Sequence, residues 1–95
     1  MFMILLRFST NKADAPRLME AHNAWLREGF EAGIFHLAGS LPPGLGGAIL
    51  AHGATRPEIE ARLKADPFVA ADVVRPEFVE ITPARTDPRL AHLAA

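Results

Sequence analysis

His22 and Trp25 stand three residues apart, a spacing that puts both on one face of a helix, and an ionisable ring on an apolar face needs a partner. The best candidate is Asp66, which opens the segment Asp66-Pro67-Phe68-Val69-Ala70-Ala71. A carboxylate set against an imidazole is the commonest way to build a positioned general base. The acid fixes the ring tautomer, and the other ring nitrogen is left for a substrate proton. The pair hints at proton-transfer chemistry without naming a substrate. From the residues alone a second reading stays open: a core-edge histidine satisfied by a backbone carbonyl, and an aspartate that caps a short helical turn before Pro67. The two are compatible if one carboxylate oxygen caps while the other meets the imidazole. Trp25, Ser40, Phe68 and Arg7 are the expected pocket residues, Arg7 being either an anion contact or a solvated charge at a strand end.

Other groups carry weaker signals. Gly44-Leu45-Gly46-Gly47 could offer amides to an anion, but it follows two prolines and lacks the Lys-Ser/Thr of a phosphate loop, so it reads as a turn. Ser9 and Ser40 have no base beside them in sequence, which argues against a serine nucleophile. His36 and His52 fall on two strands of one hairpin and with His22 would make a three-histidine metal site if they faced each other. A shift of one residue in register separates them, and no metal or other cofactor is expected.

The elements that must position these residues follow from hydrophobic spacing. Phe2, Ile4, Leu6 and Phe8 alternate with Met3 and Leu5, a strand apolar on both faces. Helices can cover one face; a second subunit can cover the other. A helix is predicted from Ala15 or Pro16, with Asp14 as N-cap and Gly33 as stop; Leu18, His22, Trp25 and Gly29 form its buried stripe. Strands follow at about 34–41 and 48–52. Thr55-Arg56-Pro57-Glu58 has the form of a capping box, opening a helix with Ile59 and Leu63 inward. Asp66-Pro67 restarts a helical turn to about Asp72, and Glu77 to Thr82 is the last strand. The order β-α-β-β-α-β predicts the ferredoxin-like split βαβ arrangement, an α+β fold with a four-stranded antiparallel sheet and both helices on one face. The domain is expected over residues 1–83, with a tail at 84–95 that is either frayed or docked as a short helix.

Composition limits the function classes. Lys and Arg number 10 against 11 Asp and Glu, interspersed, which argues against the basic stripe a nucleic acid requires. No cysteine is present, which excludes disulfides and thiolate chemistry and fits a cytoplasmic protein. The apolar run at the start is broken by Arg7, too short for a signal-peptide core and far below the ~18 residues that span a bilayer. With 49% hydrophobic residues in 95, one small monomer has more apolar surface than it can readily bury, so a homodimer is expected.

Three segments in order, His22-Asn23-Ala24-Trp25-Leu26, Gly33 to Ser40 and Ala65 to Ala71, resemble the YciI-like (YCII-related) family over about residues 2 to 83. The chain departs from the family pattern at Ser40, where proline is frequent. The resemblance implies a dimeric α+β barrel and a His-Asp pair as active site, carried over to His22 and Asp66. It further implies a small-molecule substrate: some relatives act on small aromatic or chlorinated rings by elimination, and similar barrels host lactone isomerases and cofactor-free oxygenases. The expectation is therefore a cofactor-independent lyase or isomerase; the alternative is a non-catalytic dimeric module binding a small molecule or a protein.

Overall fold

The structure, a computed structural model, describes residues 1–94. Seven elements follow the expected order: β1 (Phe2–Phe8), α1 (Ala15–Glu31), β2 (Phe35–Leu41), β3 (Gly46–Ala51), α2 (Arg56–Lys64), α3 (Pro67–Ala70) and β4 (Val74–Glu80). The sheet order is β2-β3-β1-β4 with every pair antiparallel, the ferredoxin-like arrangement.

β1 lies between β3 and β4, and its alternation divides the sheet into two faces. Phe2, Ile4 and Leu6 are buried in one core with Trp25, Phe35, Ile49, Ile59, Leu63 and Phe68. Met3 and Leu5 lie on the other face, where Leu37 and Val79 are exposed. Arg7 belongs to that open face as well. It stands opposite Arg75, a like-charge pair that each member relieves locally: Arg7 bonds Glu77 at 2.9 Å and Arg75 reaches Asp72 at 3.4 Å.

Helix ends follow local chemistry. α1 stops as expected at Gly33, which adopts φ +75. The Gly33 amide donates to Phe30 O and the Ile34 amide to Gly29 O, each at 3.0 Å, so the left-handed residue closes the last turn. At the other end Asp14 occupies the N-cap position without a capping bond, because a 3-10 turn at Lys12–Asp14 already leads into the helix. Its carboxylate sits 3.7 Å from Arg17 instead. The Thr55–Glu58 capping box forms in both directions, and Asp66 caps α3 through the Phe68 amide.

Two strand boundaries differ from the sequence reading. Gly46 and Gly47, read as turn, are the first residues of β3, and the turn narrows to 42–45 around a cis Pro42–Pro43 bond. A Cβ on Gly46 would stand 2.0 Å from Leu6 O, so glycine lets β3 close on β1 there. β4 begins at Val74 and runs through Pro76, which an edge strand tolerates because its missing amide leaves no partner unpaired. The tail is docked: 3-10 turns over Pro88–Ala94 bury Leu93.

The loop after β1 is tied to the start of β4. Ser9 Oγ donates to Asp72 Oδ1 at 3.0 Å and Asn11 Nδ2 donates to Ala71 O at 2.8 Å. The Ser9 hydroxyl, with Arg75, holds the Asp72 carboxyl below its usual range. Ser9 is thus a structural clasp.

Gly33 and Gly46, at φ +75 and +131, yield a graded expectation. Gly33→Ala meets open space and should cost about 1–2 kcal/mol for the left-handed backbone alone. Gly46→Ala adds a clash with backbone and should cost clearly more, measured as the difference between the two denaturation midpoints.

Candidate functional site

α1 carries two adjacent stripes. Ala15, His22, Trp25 and Gly29 face the core, while Met19, Asn23 and Leu26, one step round the helix, overlook the hairpin strands. Facing that second stripe the hairpin strands include short residues, Ala38 and Ser40 on β2 and Gly47 on β3. A cleft of about 310 Å³ lies between helix and sheet there. His22 and Phe68 form part of its wall, and Leu6, Phe8, Ile49 and Val74 make its apolar lining. Among the described residues no Asp, Glu, Lys or Arg lines it.

The structure brings His22 and Asp66 together. The imidazole Nδ1 stands 2.7 Å from Asp66 Oδ1, with Asp66 wholly buried and His22 only 9% exposed. An ionised carboxylate can only accept, so the proton of this bond sits on Nδ1 and Nε2 is the nitrogen left to meet a ligand. The same Oδ1 accepts the Phe68 amide at 3.0 Å. The two roles foreseen for separate oxygens thus converge on one, and Oδ2 is buried with no hydrogen-bond partner among the described residues.

The imidazole is also held by rings. Phe68 stacks on it at 4.0 Å with planes 5° apart, and Trp25 lies at 5.7 Å and 29°. Trp25 itself is fixed by its Nε1–H, which donates to Arg62 O at 3.0 Å, and by an edge contact to Phe35.

The other expected site residues divide. Ser40 and Phe68 line the cleft. Trp25 does not: it is core, packed behind His22. Arg7 lies on the opposite sheet face, paired with Glu77, because an odd-numbered position on β1 points away from the helices. Asn23 and Met19 also border the cleft, which the sequence reading does not foresee; the signal for them is Met19, Asn23 and Leu26 at i, i+4 and i+7.

His36 and His52 do meet, at 5.5 Å between ring centres, because a bulge between Phe35 and Leu37 swings His36 out of the regular ladder. The third ring in that group is His92 of the docked tail, 5.2 Å from His36, rather than His22. His36 Nε2–H donates to Gly33 O at 3.0 Å. None of the three lines the cleft, and among the described residues no group of three or more His, Cys, Asp or Glu is placed to hold a metal.

A split βαβ sheet whose first helix stands off a floor of small residues, with a buried His-Asp pair at the wall, defines a small α+β domain with a ligand-sized cleft. The chain belongs to the YCII-related domain family, which it matches over residues 1–85. Among solved structures it is similar to 5-chloro-2-hydroxyhydroquinone dehydrochlorinase from Burkholderia phenoliruptrix AC1100 in complex with 2,5-dihydroxybenzoquinone. The TM-score is 0.69 at 14% identity, covering 85% of this chain and 93% of that one, a likeness of fold. No curated protein matches. No helix among the described residues is long and apolar enough to cross a membrane.

Because His22 and Asp66 satisfy each other inside the core, His22→Ala and Asp66→Ala should each destabilise the domain by about 2–4 kcal/mol, leaving a buried group unpaired. The double variant should lose less than the sum, the shared bond being counted once. Urea unfolding of the four proteins measures this coupling; strict additivity would mean that the pair contributes nothing.

Proposed function

We propose that this protein is a small-molecule enzyme whose His22 performs general acid–base chemistry on a small cyclic or aromatic compound held in the cleft. The observation that carries the reading is the 2.7 Å bond from His22 Nδ1 to a fully buried Asp66 beside an apolar space. Nε2 takes a proton from a ring carbon or hydroxyl. The freed electron pair then forms a new π bond: in an isomerisation the proton is returned at another ring atom, and in an elimination the bond from carbon to the leaving group breaks, the group departs as an anion with that bond's pair, and Nε2 passes its proton to solvent. Neither outcome needs an external oxidant. Family membership and the dehydrochlorinase fold support the elimination branch, and an uncharged cleft suits a ring better than a phosphorylated or polycarboxylated compound.

Release of chloride from 5-chloro-2-hydroxyhydroquinone is the first assay, followed by other halogenated or lactone rings. His22→Gln retains a polar side chain of similar reach and should lower turnover by roughly 10²–10⁴-fold. Full turnover by that variant would refute the acid–base role. A protein that binds these rings with no turnover would instead be a binding module.

The same reading includes a homodimer through the open sheet face. Met3, Leu5, Leu37, Leu50 and Val79 present apolar side chains there at one side of the sheet, with the Arg7–Glu77 ion pair at one end. Sedimentation should give twice the chain mass of 10.3 kDa, and Leu5→Asp should give the monomer.

A further inference from the structure

Phe68 touches both members of the buried pair through different atoms. Its amide donates to Asp66 Oδ1 at 3.0 Å, the oxygen His22 also uses. Its ring covers the imidazole, centroids 4.0 Å apart and planes within 5°. Carbon atoms in contact sit ~3.5–4.0 Å apart, so near-parallel rings at this centroid separation are in contact across their faces. A positive charge within ~6 Å of a ring centre is attracted by its face. Charge that forms on the imidazole when Nε2 accepts a proton therefore develops against the Phe68 face.

We propose that Phe68 is a positioning residue of the His22–Asp66 pair: its face fixes the imidazole plane and receives the charge that appears there, while its amide fixes the carboxylate. This deepens the acid–base reading and rests on it. It also separates Phe68 from the rest of the cleft lining, which shapes the space but touches neither member of the pair through two groups.

The experiment starts with the unliganded full chain. A proton bridging Nδ1 and a fully buried carboxylate at 2.7 Å should give a far-downfield, slowly exchanging NMR resonance in the unaltered protein. Phe68→Met keeps about the same volume but has no aromatic face. It should leave the fold intact by amide spectra and broaden that resonance by exchange, and Phe68→Tyr should restore it. With a substrate found by the chloride assay, Phe68→Met should lower kcat on the order of ten- to hundredfold, with KM within about twofold, as a misplaced catalytic group does. If Phe68→Met does not fold, Phe68→Leu is put through the same measurements. An unchanged resonance in a folded non-aromatic variant, or a raised KM with unchanged kcat, would overturn the proposal and leave Phe68 as cleft wall. The resonance is read without turnover, so a failure of the acid–base reading, seen in His22→Gln, is distinguishable from a failure here.

Discussion

One buried oxygen organises the helical layer. A carboxylate with no solvent contact must be met by donors, and Asp66 Oδ1 is met by two, one from α1 and one from the first turn of α3. Its position therefore fixes the two helical segments relative to one another. A second polar link, from the Trp25 indole to the Arg62 carbonyl near the end of α2, ties α1 to α2 at 3.0 Å. Between these links the packing is apolar and non-directional. The polar bonds specify orientation, and the hydrophobic contacts supply most of the burial.

The cleft follows from uneven packing along α1. At its C-terminal end Gly29 lets the helix sit against the Phe35 ring, so close that a Cβ would stand 2.0 Å from a ring carbon. At its N-terminal half the helix faces the short residues Ala38, Ser40 and Gly47 across the cleft. A core filled throughout would be the more stable arrangement, since unfilled volume forfeits dispersion contacts. The small residues are concentrated under the one stretch of α1 that bears His22.

Much of this was legible because it rests on local chemistry. The period-2 run in β1, the glycine stop of α1, the Thr55–Glu58 box and the Asp66-Pro67 restart are each decided within a few residues, so periodicity and capping rules read them correctly. The closeness of His22 and Asp66 is one of two readings the residues leave open, and the family resemblance is what favours it. What failed was settled by distant contacts. Gly46 and Gly47 look like turn residues until β1 is seen to pass within touching distance. Arg7 looked like a pocket residue because its sheet face depends on which side the helices cover. The register that brings His36 to His52 is open in the sequence because it turns on a bulge, and the tail that supplies His92 has no periodic signal to place it.

The orphaned Oδ2 of Asp66 bears on why the pair is there at all. A histidine needed only for packing could be satisfied by a backbone carbonyl, as His36 is by Gly33, at no cost in buried charge. This chain instead buries a carboxylate completely and leaves one of its oxygens without a donor among the described residues, a penalty on the order of 1–3 kcal/mol in a domain whose total stability is small. Capping α3 does not require burial, since Thr55 caps α2 at the surface. The feature that a buried acid supplies, and neither alternative does, is a fixed acceptor for Nδ1–H on a histidine that lines a cleft with no Asp, Glu, Lys or Arg among the described residues. A local departure from full polar satisfaction beside an open cleft is the pattern the proposed acid–base role calls for, because stability and function compete at such sites.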